Sequence, residues 1–116
     1  MFRGLREKLS RSIEEIDADR LRLRFRDFGA TPIAEAPPRR PVVLVGEVQR
    51  LQVVPRAGSP SLEVTIDDGT GRAVAVFTGR KRLGGLDGGR RVVFEGVGRE
   101  ERGRLVVLNP AYTIVE

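Results

Sequence analysis

The chain has no cysteine, no histidine and no tryptophan. Without thiols there is no disulfide framework, no thiolate zinc site and no cysteine nucleophile. Without imidazole there is no histidine base, no Ser–His pair and none of the commonest nitrogen ligands for metals. No apolar run approaches the ~18 residues that cross a bilayer. The charged start, Met1-Phe-Arg-Gly-Leu-Arg6, is followed by no apolar stretch of the signal-peptide kind. Together these absences lead us to expect a cytoplasmic domain, away from any membrane, that is not an enzyme and carries no cofactor.

Arginine is what the sequence has in quantity. Lys and Arg total 21 against 16 Asp and Glu, a net charge of +5, and only Lys8 and Lys81 are lysines. Guanidinium suits bidentate phosphate contacts and stacking on bases, so the balance leans towards an anionic partner. A codon bias towards arginine gives the same ratio, and composition alone does not separate the two. At 116 residues the chain is the size of one domain.

The character of the sequence changes near Thr31. Before it, Phe2, Leu5, Leu9, Ile13 and Ile16 recur at steps of three and four, one face of a helix. Ser12 followed by Glu15 fits a capping box, which divides residues 1–28 into two short helices. Residues 20–26 alternate Arg with Leu or Phe. Leu and Arg are good helix formers and no turn residue intervenes, which favours continued helix, although the period of two also suits a strand with four guanidiniums on one side. Residues 29–41 carry Pro32, Pro37, Pro38 and Pro41 and read as an extended linker.

From residue 42 to residue 116 the pattern is all β. The first strand is long, about Val42 to Val54, and its apolar phase slips between Val42, Leu44 and Val48 on one face and Leu51 and Val53 on the other. A bulge near Gln49–Arg50 reconciles the halves. Leu62, Val64 and Ile66 then alternate inward with Glu63, Thr65 and Asp67, ahead of a turn at Asp67-Asp68-Gly69-Thr70-Gly71. Third and fourth strands are expected at Arg72–Thr78 and Arg90–Gly98. Arg99–Gly103 reads as a hairpin turn into a fifth strand, Arg104–Leu108, that resumes after Asn109-Pro110. The break between the third and fourth strands has four glycines among Gly84–Gly89, too many for more than a turn of helix. Five strands with a long bent first one describe a five-stranded Greek-key barrel, the OB fold, with a short N-terminal helical extension. Val43, Val45, Val93, Val97, Val106 and Leu108 oppose the expected core positions yet are apolar, so the outer face needs cover from the N-terminal helices or from a second copy.

Residues Gly29–Glu116 resemble the small OB-fold nucleic-acid-binding proteins of actinobacteria, akin to tRNA-anticodon-type OB domains and to the wedge domain of a branched-DNA helicase. The matching features run in order: Gly29-Ala-Thr-Pro-Ile-Ala-Glu35, Gly46-x-Val48, Leu62-Glu-Val-Thr-Ile-Asp-Asp-Gly-Thr-Gly71, Phe77-x-Gly79-Arg-Lys-Arg82, Gly89-x-x-Val92-x-x-x-Gly96 and Asn109-Pro-x-Tyr112. They span about three-quarters of the chain. The alternating arginine segment departs from the family pattern. The resemblance implies nucleic-acid binding without naming a target.

The candidate site follows from what single-strand binding requires, a positive groove and aromatic faces. If Val74 and Val76 face the core, Phe77 stands on the opposite side with Ala73 and Ala75 as a shallow stacking platform, while Phe94 is core. Arg80, Lys81, Arg82, Arg90 and Arg91 against the lone Asp87 give residues 80–91 a net of +4. Arg50 and Arg56 flank the groove from the first hairpin, and Arg99, Arg102 and Arg104 from the last. Asp67 and Asp68 read as a turn rather than a metal site, and Gly69-Thr-Gly71 lacks the lysine of a phosphate-cradling loop. The expected partner is single-stranded DNA or RNA, or a single-strand/duplex junction. The alternative is a protein-interaction or oligomerisation module whose charge is incidental.

Overall fold

A computed structural model describes residues 29–115. The expected N-terminal helices and the alternating segment 20–26 lie outside the described residues. Within them the regular structure is β, apart from a single 3-10 turn at Ile33–Glu35. The strands are β1 (Pro41–Arg56), β2 (Ser59–Asp67), β3 (Arg72–Thr78), β4 (Arg91–Glu101), β5 (Arg104–Leu108) and β6 (Ala111–Ile114). Five of them close a ring in the order β1-β2-β3-β5-β4 and back to β1. Only β3 and β5 run parallel; every other pairing is antiparallel. After Asn109 and Pro110 the chain returns as β6 beside β4, so β5 and β6 pair with successive parts of one strand. No helix among the described residues is long and apolar enough to cross a membrane.

The ring closes because β1 serves two neighbours. Its first half, Pro41 to Glu47, pairs with β4, and its second half, Glu47 to Arg56, pairs with β2. The phase slip read from the sequence is real: the register jumps from Val48↔Ile66 to Arg50↔Thr65, leaving Gln49 as the extra residue of a bulge. Gly46 sits where the two pairings meet. A Cβ there would lie 3.0 Å from the Asp67 carbonyl oxygen and 3.1 Å from Ile66 Cβ, so the close approach of β2 requires glycine.

The interior holds Val42, Leu44 and Val48 from β1, Leu62, Val64 and Ile66 from β2, and Val92, Phe94 and Val107 from β4 and β5. The phase of β3 is the reverse of the one expected. Ala73, Ala75 and Phe77 face this core, whereas Val74 and Val76 face outward with Val106. Register explains the reversal. Ala75 and Ala73 stand opposite Val64 and Ile66, setting small side chains beside larger ones inside the ring, and Phe77 stands opposite Leu62.

Apolar residues on the outer face are partly covered. Val45 and Val93 are buried together with Ala30, Val43 and Val115 packed on them, while Val97 and Leu108 stay exposed. The segment expected to be a linker is docked on the ring. Ile33 is buried in the main core, Thr31 donates to the Val43 carbonyl at 2.9 Å, and Arg39 to that of Gly98 at 2.7 Å. The Asp turn makes the anchor: Asp68 accepts from Ile33 N at 2.8 Å, Thr70 N at 2.8 Å, Thr70 Oγ1 at 2.6 Å and Gly71 N at 3.1 Å. The last hairpin is tighter than expected. Arg99 to Glu101 belong to β4, and only Arg102 and Gly103 turn, at φ of 51° and 78°, as a two-residue loop of the kind that suits strand twist.

Two glycine substitutions separate backbone from side-chain crowding. Gly46→Ala presses on β2 main chain and is expected to cost roughly 1–3 kcal/mol, as overpacking does. Gly98→Ala meets Leu105 Cδ1 at the shorter distance of 2.7 Å, but that atom ends a flexible side chain and can turn away. Urea unfolding is expected to show the larger midpoint drop for Gly46→Ala despite its longer contact.

Candidate nucleic-acid interface

The loop between β3 and β4 is shaped by its glycines and two leucines. It leaves β3 at Gly79, which has φ of 71° and donates to the Pro60 carbonyl at 2.9 Å. Leu86 is buried in the core and Leu83 packs against it, with Leu86 N bonded to the Leu83 carbonyl at 3.3 Å. The loop rejoins the ring at Val48, which accepts from Gly89 N at 2.8 Å and donates to the Arg90 carbonyl at 2.7 Å. Pinned at both ends and by Leu86, the segment has no helix, as its glycines foretold. The side chains left outside are Arg80, Lys81, Arg82 and Arg90, all exposed.

Between this loop and the β1–β2 hairpin lies a cleft of about 250 Å³ lined by Leu51, Gln52, Val53, Leu62, Lys81, Arg82, Leu83, Leu86 and Asp87. Leu51 pairs with Val64 and Val53 with Leu62, so both continue the inner face of β2 beyond the point where the ring covers it. They are 36% and 50% exposed. The cleft thus has an aliphatic floor and a rim with two cations and one acid. Leu51 and Val53 were noted in the sequence only as a phase slip; their exposure depends on β4 leaving β1 at Glu47, which no local pattern reveals.

Other expected site residues are elsewhere. Phe77 is 6% exposed, and its ring meets Phe94 at a centroid distance of 6.0 Å and Tyr112 at 5.7 Å. It is a core aromatic with no face free for a base, which corrects the stacking platform. Arg56 is committed to partners: Nη2 lies 2.7 Å from Glu101 Oε1 and Nε 3.7 Å from Glu63 Oε2. Arg99 holds the second Glu101 oxygen at 2.7 Å. This ion cluster borders the outer valines, since Glu63 stands opposite Val76 and Arg99 opposite Val106. It therefore occupies the outer face on which Phe77 was expected. Arg50 pairs with Thr65 on the outer side of β1, away from the cleft floor. Arg102 is in the tight turn, and Arg104 lines a second cleft of about 360 Å³ with Arg72, Glu100 and Ile33. Arg72 and Thr78 are the two ends of β3, so the second cleft is at the opposite end of that strand from Lys81 and Arg82. Seven residues of strand separate them by roughly 20 Å.

No protein-family model matches the chain, and no curated protein matches it.

The hydrogen bond from Arg56 holds the Glu101 carboxyl below the ordinary value of 4.5, and the same bond raises the Arg56 guanidinium. A depressed carboxyl pKa stabilises the fold above the unfolded-state value and loses that contribution as pH falls through the folded one. Both side chains are about a quarter exposed, so the pair is worth ~1 kcal/mol or less. Urea midpoints for Glu101→Gln are expected to fall below the parent's at neutral pH and to converge with them once the pH is well below 4.5.

Proposed function

We propose that this domain is an OB-fold module that binds single-stranded nucleic acid, or a single-strand/duplex junction, without catalysing a reaction. The ring order β1-β2-β3-β5-β4, with its one parallel pair and its bent, shared first strand, supports the OB reading. The observation that carries the functional reading is the β3–β4 loop, where Arg80, Lys81 and Arg82 are exposed between Gly79 and Gly89, with exposed Arg90 just past the second glycine, and Lys81 and Arg82 line an aliphatic cleft. Such a loop follows a flexible phosphate backbone at several points, and charge supplies most of the affinity. Among the described residues aromatic stacking contributes little, because Phe77 and Phe94 are core and Tyr112 packs against Phe77. DNA and RNA both meet these requirements.

A second reading, a protein-interaction module, has one observation in its favour: Val97 is 54% exposed on the outer side of β4, opposite Pro41. A complex that persists in high salt, in a protein that binds no oligonucleotide, would favour it.

Fluorescence anisotropy with labelled oligo-dT and oligo-U across a salt series tests the first reading. Log affinity is expected to fall linearly with log salt, with a slope of about −0.7 per phosphate neutralised. Replacing Arg80, Lys81 and Arg82 with Ala is expected to reduce that slope by about two, three contacts at about 0.7 each. Phe77→Leu is expected to lower thermal stability while leaving the slope as it was. A triple variant with the parental slope would remove the loop from the interface.

A further inference from the structure

Beyond Val48, no strand among the described residues pairs with the β1 edge beside the cleft. β4 leaves β1 at Glu47, and the loop takes up only Val48. Val48 donates to the Arg90 carbonyl and accepts from Gly89 N, so its peptide groups point away from β2. Bulge residue Gln49 shares Thr65 with Arg50, and the alternation that resumes puts Leu51 and Val53 in the same outward phase as Val48. The other end of the hairpin gives the same phase independently. Ala57 and Gly58, with φ of 49° and 81°, form a two-residue turn in which Arg56 and Ser59 bond each other, so Pro55 and Pro60 face outward. Pro60 does so visibly, giving its carbonyl to Gly79 on the β3 side. Counting back two residues at a time from Pro55 reaches Val53 and then Leu51. Both residues therefore direct N–H and C=O along an edge on which, among the described residues, no strand pairs.

We propose that this edge and the adjoining floor form a pocket for an unpaired nucleobase, which makes single strands with exposed bases, rather than duplex or generic polyanions, the ligand of the site. The inference rests on the nucleic-acid reading above and adds what the bases do. In extended chain each residue sets one donor and one acceptor side by side, the pattern that a Watson–Crick edge presents. Leu51 and Val53 offer two such pairs and, with Leu62 and Leu83, an aliphatic surface for the base face. Lys81 and Arg82 on the rim are placed for the phosphate that the base carries. At about 250 Å³ the cleft is smaller than the ~300–1,000 Å³ of pockets for drug-sized ligands, which suits a single small ring. A paired base has its hydrogen-bonding edge occupied and its faces stacked, so duplex cannot enter.

The experiment compares three labelled ligands of equal length on the parent protein: oligo-dT, an abasic oligomer of the same charge, and duplex. Oligo-dT is expected to bind at least tenfold more tightly than either of the others, and the abasic oligomer is expected to keep the same salt slope. Val53→Pro removes one outward N–H that the sheet does not use, a substitution an edge position accepts. It is expected to weaken oligo-dT tenfold and leave abasic binding unchanged, with the parental circular dichroism spectrum. Val53→Asp, which keeps the N–H and charges the floor, is expected to weaken oligo-dT as well. Equal affinity for oligo-dT and the abasic oligomer would overturn the pocket while leaving the charge-based function intact. Binding to none of the three would overturn both. Displacement of oligo-dT by an uncharged alternating Leu/Thr peptide, together with equal oligo-dT and abasic affinities, would reassign the edge to strand addition by a protein.

Discussion

The β-ring of this protein closes through β1, whose two halves pair with different strands. That strand gives its first half to β4 and its second to β2, and the handover is compressed into Gly46, Glu47, Val48 and Gln49. Glycine lets β2 approach, the bulge re-aims the strand, and Val48 is left to hold the β3–β4 loop through two main-chain bonds. The position of the cationic loop, the exposure of Leu51 and Val53, and the edge beside them that no described strand pairs with all follow from this handover. Had β4 continued along β1, the cleft would be a sheet surface.

The second organising feature is how charge is divided. Arg56, Arg99, Glu63 and Glu101 neutralise one another on the outer face, at the border of a valine cluster. Such pairs add little to stability, yet they remove those arginines from any role in capturing a ligand. The cations of residues 80–82 and Arg90 have only Asp87 near them in sequence. One face is therefore electrostatically closed and the loop open, although the arginine-rich composition gives no hint of the distinction.

The limits of β3 and β5, the bulge, the aspartate turn and the lack of helix in the glycine-rich loop were legible in the sequence, because each depends on neighbouring residues. The alternation of Leu62, Val64 and Ile66 with Glu63, Thr65 and Asp67 admits only one inner face. β3 is different: Ala73-Val-Ala-Val-Phe77 is apolar on both sides, and only pairing with β2 decides which side is interior. The larger valines suggested the wrong phase, and Phe77 was placed on the surface as a consequence. The bond from Arg56 to Glu101 spans 45 residues and could not be read from either neighbourhood. The cations of the loop were legible; the aliphatic floor beside them was not, since its exposure is a property of ring closure.

The seam between β1 and β4 has a kinetic meaning. Val42 meets Gly96 only after nearly half the chain has been brought round, and β3 joins β5 in parallel across the whole loop and β4. Contacts so distant in sequence must overcome loop-closure entropy before they return any stabilisation, which places folding among the slow, millisecond-to-second class of β topologies. The β1–β2 and β2–β3 hairpins, whose turns are local, are the natural early structure. The joining of β4 to β1 spans the longest stretch of chain of any strand pairing here, and it is the same seam that seats the end of the β3–β4 loop on Val48.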